Sequence, residues 1–272
     1  QRLSRLHYTF CRQRVSRQTG PYRGYYAMFL TNSSAEKARK KEELLAIADI
    51  IRLDGCRCPH PPPASVLTAV QDCATSALRE RETATELRKA CARLFGVAEE
   101  NVCLCCCPAA AHACEGINLR DRSMLLREEK AELSENTALL YDLGRCFGLL
   151  GVNAWALIAP IETIAKLRAV CERLRIPPPD RAAAAAILAA MKDPESVEKW
   201  RGMVEKTLLK ALLWLNGNGF SAKKGEGPYL DVKTPAPDRA AWELLRCGIA
   251  VEAGEDCIRI WAGAEEEMEG LF

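Results

Sequence analysis

Hydrophobic positions recur along this chain with two spacings, one typical of helices and one typical of strands. A recurrence every three to four residues predicts helices, and short apolar runs bounded by turn residues predict strands. The predicted helices span residues 34–51, 65–78, 83–95, 160–175, 180–192, 195–216, 237–247 and 264–271. The predicted strands span residues 101–107, 154–159, 228–233, 249–252 and 257–262. The segments 123–133 and 137–143 fit either type of element.

The order of these elements predicts a fold class and a division of the chain. Helices alternate with strands through the middle of the chain, which favours an α/β body followed by a smaller α+β end. We divide the chain into an arm at 1–35, a helix and proline-rich segment at 36–63, a large domain at 64–194 and a small domain at 195–272. No apolar run approaches the roughly 18 residues that a membrane-spanning helix needs.

Charge is distributed unevenly along the sequence. The 272 residues have a net charge of +2 and a pI of about 7.9, whereas nucleic-acid-binding domains typically have a pI above about 9. Residues 1–52 nevertheless contain 11 basic and 4 acidic residues, and the remainder has a net charge of −5. Binding of nucleic acid by the whole protein is therefore not the expectation.

The basic character is concentrated in the first 35 residues, which contain six arginines, six aromatic residues and no acidic residue. This composition resembles an organelle transit peptide, and a solvated basic tail is the simpler alternative. Because tyrosine and arginine are the residues that anchor interfaces, we expect an arm that binds a partner. The residues expected to contact the partner are Arg12, Arg14, Arg17, Tyr22, Arg23, Tyr25 and Tyr26.

The chain contains 14 cysteines, and their spacing does not indicate a disulfide framework. We expect mostly free thiols in a reducing compartment, several of them packed as small apolar residues. A zinc or iron–sulfur site at Cys56, Cys58, Cys105 and Cys107 is an alternative, since thiolates in loops are suitable ligands. The C-x-C and C-x-C-C-C spacings differ from the paired C-x₂-C pattern, so free thiols are the preferred interpretation.

Four segments carry a resemblance to a known family. They are LDGCRCPHPPPASVL (53–67), TATELRKACARLFGVAEENVCL (83–104), CFGLLGVNAWALIAP (146–160) and RCGIAVEAGEDCIRIWAG (246–263). In this order they resemble histidinol-phosphate aminotransferases, which are pyridoxal-phosphate enzymes of the aspartate aminotransferase fold. The resemblance implies an aspartate-aminotransferase-like large domain, a smaller α+β C-terminal domain and, in this chain, an added N-terminal arm.

The resemblance also shows which functional residues of the family differ here. Arg145 stands at the position of the lysine that forms the Schiff base, and guanidinium stays protonated in proteins. Arg127 aligns with the aspartate that contacts the pyridine nitrogen, Lys130 with a tyrosine of the same motif, and Asn153 with a phosphate-binding arginine. Arg259 aligns with the arginine that binds the substrate carboxylate, and we interpret it as a structural ion pair.

Two further departures concern the large domain. The family's phosphate-binding turn corresponds to residues 105–110, which contain no glycine and include Pro108, and proline has no N–H to donate. Cys107 and Leu125 are 18 residues apart, where the family has several strands and helices. We therefore expect a truncated large domain, whose uncovered edges and faces an assembly would cover.

These departures lead to a functional hypothesis. We expect a protein that is not an enzyme, binds no cofactor and acts as a non-catalytic accessory subunit of a large mitochondrial assembly, such as a respiratory-chain complex or supercomplex. Its partners would be other protein subunits, with lipid headgroups as a further contact of the arm on the matrix side of the inner membrane. The alternatives are a mitochondrial ribosomal protein that binds rRNA through the arm, or an enzyme with new chemistry in the remodelled cleft.

Overall fold

The computed structural model describes residues 42–43, 50–58, 60–76, 84–124 and 130–271. The predicted arm and all seven of its partner-binding residues lie outside this set. Two compact units are present. The central unit is His60–Met203, and the terminal unit joins the described residues before His60 to those from Val204 onward.

The central unit is built on a four-stranded mixed sheet. Its strands are β2 (Val102–Cys105), β3 (Asn118–Asp121), β4 (Thr137–Asp142) and β5 (Trp155–Ile158), in the order β2-β5-β4-β3. β5 runs antiparallel to both of its neighbours, whereas β3 and β4 are parallel. The sheet therefore has one pair of parallel strands, and their carboxyl ends lie side by side.

Helices cover both faces of this sheet. They are α1 (Ala64–Ser76), α2 (Thr85–Phe95), α3 (Ala109–His112), α4 (Leu143–Cys146), α5 (Ile161–Leu174), α6 (Arg181–Met191) and the first part of α7 (Pro194–Gly217). Alternate strand residues point to opposite faces. Leu139 and Tyr141 pack with α2 and α6, while Leu140 and Leu157 pack with α5.

Local sequence signals explain where these helices begin and end. Asp180 precedes α6, and its side chain accepts a hydrogen bond from Ala183 N at 2.7 Å, which satisfies a free N–H of the first turn. Gly96 follows α2 with φ of 69°, the left-handed conformation that glycine adopts readily after a helix.

The terminal unit contains a second sheet. Its strands are β1 (Ile51–Leu53), β6 (Ala222–Lys224), β7 (Tyr229–Lys233), β8 (Ile249–Ala253) and β9 (Cys257–Trp261), in the order β1-β8-β9-β7-β6. β1 is parallel to β8, and the other pairs are antiparallel. This unit also contains α8 (Pro237–Arg246), which packs against β8 and β9, and α9 (Glu265–Glu269).

Three of the strands are not predicted by the sequence pattern. β1, β3 and β6 are three or four residues long with the sequences IRL, NLRD and AKK, so they lack an apolar alternation long enough to recognise. β1 also falls where the pattern predicts the end of a helix, of which Glu42 and Glu43 are the helical residues described.

Among the described residues, no helix combines the length and the apolar character needed to cross a bilayer.

Candidate functional site

The carboxyl ends of β3 and β4 bring acidic and basic side chains together in the central unit. β3 ends at Asp121 and β4 ends at Asp142, and the two strands are parallel neighbours. In open α/β sheets, ligands bind outside the carboxyl ends of parallel strands. This end of the sheet is therefore the candidate site.

Asp142 and Arg145 form the centre of the site. Asp142 precedes α4, and its Oδ1 accepts a hydrogen bond from the backbone N–H of Arg145 at 3.0 Å. The guanidinium returns toward the same carboxylate, with Arg145 Nε 3.8 Å from Asp142 Oδ2, and its Nη1 lies against Met124 Sδ. The two side chains are only 15% and 14% exposed, so the pair lies largely out of water.

The electrostatic environment of Asp142 is unusual for an aspartate. Burial raises the pKa of Asp142, because loss of solvent disfavours the charged carboxylate. The backbone N–H and the guanidinium of Arg145 act in the opposite direction, and the negative charge of Asp121 adds to the increase. A buried carboxyl with a raised pKa at the end of a strand is a candidate for proton transfer.

The turn that carries Arg145 is too tight for a side chain at the preceding position. A Cβ on Gly144 would lie 2.6 Å from Val152 O and 2.9 Å from Leu149 O. The backbone of this turn therefore packs more closely than a residue with a side chain would allow.

The strand parallel to β4 lies outside the four segments that carry the resemblance. The alignment places Arg127 at the family's cofactor-binding aspartate, and residue 127 lies outside the described residues. The strand paired with β4 is β3, whose last residue is Asp121. Sequence reasoning missed this carboxylate, because a four-residue strand with three exposed positions gives no apolar alternation.

Two other predicted positions lie at the surface. Asn153, at the position of the phosphate-binding arginine, is exposed in the loop between α4 and β5. Lys130 is exposed as well, and the residue after it donates a backbone hydrogen bond from Ala131 N to Phe95 O, at the end of α2.

The turn after β2 offers no ordinary phosphate cradle. Pro108 occupies the N-cap of α3, a helix of only four residues. Cys106 N is already bonded to Pro177 O at 3.0 Å. Phosphate sites of this type use several free N–H groups at the start of a helix, and here proline lacks one of them and Pro177 already accepts another.

Arg259 lies on β9 of the terminal unit and is engaged in an ion pair. Its Nε donates to Asp231 Oδ1 at 3.0 Å, and its guanidinium carbon lies 4.0 Å from the centre of the Tyr229 ring. The resemblance aligns Arg259 with an arginine that binds the substrate carboxylate, and in this structure Arg259 is paired with Asp231 of the same sheet.

The proposed metal ligands belong to different units. Cys56 and Cys58 lie after β1 in the terminal unit, and Cys105 and Cys107 lie at the end of β2 in the central unit. None of the four forms a disulfide. Within the described part of the chain, no group of three or more histidine, cysteine or acidic residues is arranged to hold a metal ion.

Comparison of the whole fold with solved structures gives a consistent result. Histidinol-phosphate aminotransferase from Sinorhizobium meliloti, in complex with pyridoxal-5'-phosphate, matches 93% of this chain and 96% of its own with a TM-score of 0.70 at 13% identity. Aspartate aminotransferase from Thermus thermophilus with maleate matches 89% of this chain and 95% of its own, with a TM-score of 0.70 at 17% identity. The chain has the aminotransferase fold. No family model matches the sequence, and no curated protein matches it either.

The aminotransferase fold corrects one prediction. The sequence led us to expect a protein that is not an enzyme, and this expectation is contradicted because the matched structures are aminotransferases. The TM-scores of 0.66–0.70 establish the fold, whereas the identities of 12–17% leave the reaction open.

Pyridoxal phosphate, which the aminotransferase fold implies, does not fit these residues in the way the family binds it. The turn between β4 and β5 carries a guanidinium where the Schiff base needs a lysine, and this guanidinium faces Asp142. At the phosphate position, Pro108 heads a single-turn helix. Chemistry at the carboxyl ends of β3 and β4 would therefore use Asp121, Asp142 and Arg145 directly.

Proposed function

We propose that this aminotransferase-fold chain is a subunit of a large mitochondrial assembly, with a respiratory-chain complex or supercomplex as the specific hypothesis. The observation that carries the proposal is the outer edge of β3. Within the described residues, β3 pairs with β4 on one side and with no strand on the other. An open strand edge is a surface on which another chain can add a strand.

The hydrogen bonds of β3 show which of its backbone groups face the open edge. Asn118 N bonds to Asn136 O at 2.6 Å and Arg122 N bonds to Leu140 O at 2.8 Å, so these groups face β4. Because successive N–H groups of a strand alternate in direction, those of Leu119 and Asp121 face outward. The side chains of Arg120 and Asp121 are exposed beside them. A strand added at this edge would therefore lie beside one basic and one acidic side chain.

Exposed apolar side chains of the central unit also support a surface that binds another protein. Large apolar side chains of the central unit that remain 42–58% exposed are Leu67, Leu133, Ile161 and Leu174. The proposed mitochondrial location rests on the composition of residues 1–35, which contain six arginines and no acidic residue. This composition suits a mitochondrial protein, and it also suits an arm that contacts acidic protein surfaces or lipid headgroups.

The test is the native size of the endogenous protein after gentle detergent extraction, on a density gradient with mass spectrometry of the co-migrating proteins. Migration far above the chain mass of 30.1 kDa together with respiratory subunits is the expected result. Co-migration with ribosomal proteins would instead favour the rRNA-binding alternative. A peak at the size of a monomer or dimer would overturn both.

A second candidate is an enzyme with new chemistry at the candidate site. It is favoured by the raised pKa of Asp142 next to Arg145, at the end of the sheet where α/β folds bind ligands. A guanidinium recognises carboxylates, so the class of ligand would be a small carboxylic acid.

Thermal unfolding with increasing maleate, a simple dicarboxylate, tests the second candidate. The expected result is a rise in the unfolding midpoint that Arg145→Gln abolishes and Arg173→Gln, an exposed control on α5, retains. An unchanged midpoint in the unaltered protein, or an equal rise in both variants, would contradict it.

A further inference from the structure

Thiols converge in the central unit where β2 meets α5. Cys103 and Cys105 lie on the same face of β2, and Cys171 of α5 packs against that face. The Cys103 and Cys171 thiols are hydrogen-bonded to each other. The other cysteines whose charges act on Cys171 are Cys106, Cys107 and Cys114. All six are free.

The two hydrogen-bonded thiols differ in access to solvent. Cys103 is only 5% exposed, whereas Cys171 is partly exposed on the helix. Disulfide exchange needs one thiol that an external reagent can reach and a second thiol that displaces the reagent from the first. Cys171 is the thiol that a reagent can reach, and Cys103 is placed to displace the reagent from it. The two cysteines are 68 residues apart in sequence.

The neighbouring thiols are less suitable as a pair. Cys106 and Cys107 also share a hydrogen bond, but they are adjacent in sequence. Their Cα atoms are therefore about 3.8 Å apart, below the range of roughly 4.4–6.8 Å found in disulfides. Closing that pair would require a distorted peptide, whereas Cys103 and Cys171 belong to separate elements and are free of this constraint.

We propose that Cys103 and Cys171 form a dithiol site that low-molecular-weight disulfides, such as glutathione disulfide, convert to an intramolecular disulfide. Cys171 loses its proton to solvent and attacks one glutathione sulfur. The glutathione S–S bond breaks, a mixed disulfide forms, and one glutathione leaves and takes up a proton. Cys103 then loses its proton and attacks the Cys171 sulfur, which releases the second glutathione as a thiol. One disulfide is reduced to two thiols, and two protein thiols are oxidised to one disulfide.

The environment of the pair determines how this reaction is observed. Burial raises the pKa of Cys103 to about 12, and burial also raises the pKa of Cys171. Both groups are therefore mainly protonated near neutral pH, and exchange is slow because the thiolate is the nucleophile. The product at equilibrium is the quantity to measure. The disulfide would tie α5 to the edge strand β2, so it restrains the packing of one helix on the sheet.

The experiment equilibrates the reduced full-length protein, folded, with glutathione buffers of increasing oxidised fraction. Acid quenching, alkylation and peptide mapping with fragmentation then identify each linked cysteine. The expected product links Cys103 to Cys171. Cys103→Ala should retain glutathione on Cys171, because the displacing thiol is missing, and Cys171→Ala should leave Cys103 unmodified. Cys107→Ala, the control, should form the link as the unaltered protein does.

Three results would overturn the proposal. The first is that Cys103 and Cys171 remain free thiols in the most oxidising buffer. The second is a link from Cys171 to Cys105, Cys106, Cys107 or Cys114 in place of Cys103. The third is loss of the link in the Cys107→Ala control. If either variant at the pair fails to fold, the map of the unaltered protein and of the control still decides between these results.

Discussion

At the scale of single residues, the most informative group is the carboxyl of Asp142. Its side chain caps α4, approaches Arg145 and remains largely buried. In most capped helices the N-terminal carboxylate has a lowered pKa, because the free N–H groups favour the anion. Here burial outweighs those interactions and raises the pKa. The folded protein therefore binds this proton more tightly than the unfolded chain does.

This difference predicts how stability depends on pH. Below the ordinary aspartate pKa of about 3.9 the carboxyl is protonated in both states, and its contribution to stability is fully present. The contribution is lost as the pH rises through the raised pKa of the folded state, at about 1.4 kcal/mol for each pKa unit of difference between the states. Asp142→Asn lacks this titration while an amide still caps the helix.

The measurement is the free energy of unfolding by urea, for the unaltered protein and Asp142→Asn, at a series of pH values upward from about 4. The stability of the unaltered protein relative to the variant should fall as the pH rises. Comparison with the variant removes the titration of other groups. A relative stability that is constant or rises with pH would show that burial does not dominate at Asp142.

At the scale of elements, the connection from β4 through α4 to β5 shows how closely one turn is built. Leu149 N bonds to Gly144 O at 2.7 Å and Leu143 N bonds to Ala154 O at 2.9 Å, so the connection folds back on itself. Gly144 lies inside this fold, where a Cβ would meet two backbone carbonyl oxygens. Backbone oxygens cannot move aside as a flexible side chain can, so the lack of a side chain is a packing requirement.

We predict that Gly144→Ala lowers the free energy of unfolding by about 1–3 kcal/mol, the usual cost of overpacking. Gly151 is the matched control. It belongs to the same connection and is exposed, and a Cβ added there would have no atom within 4 Å, so Gly151→Ala should change stability little. Urea unfolding of the two variants measures the difference. Equal effects would mean that the turn can open at Gly144.

Elements also show which parts of the fold can be predicted from sequence. The helices at 160–175 and 180–192 are predictable because a full apolar face repeats along them, and the structure has α5 and α6 there. β3 is not predictable, because an edge strand with exposed residues has no apolar alternation. The candidate site can be predicted only in part, because one of its residues lies on this edge strand. Arg145 can be identified because it directly precedes segment 146–160, which carries the resemblance, whereas Asp121 ends a strand that only its pairing with β4 reveals.

At the scale of the whole molecule, the question is how an aminotransferase fold with a four-stranded central sheet would enter an assembly. Residues on the buried face of β3 and residues at its outer edge have different roles. Leu119 is partly buried and packs against the core beneath α5, while its N–H faces away from β4. Its side chain and its N–H can therefore be tested separately.

We predict that Leu119→Pro removes the subunit from its assembly with a modest effect on the folding of the chain itself. Proline is tolerated on an edge strand where its missing N–H faces outward, but it cannot donate to an added strand. Leu119→Ala is the matched control, because it shortens the same side chain and keeps the N–H. Native gradient migration of both variants, expressed in cells, measures incorporation, and thermal unfolding of the purified chains measures stability. If both variants are incorporated equally, or if both are lost equally at equal stability, the outer edge of β3 does not bind the partner through its backbone. Loss of Leu119→Pro alone would locate the partner at this edge, since the two variants differ there by a single hydrogen-bond donor and the proline ring.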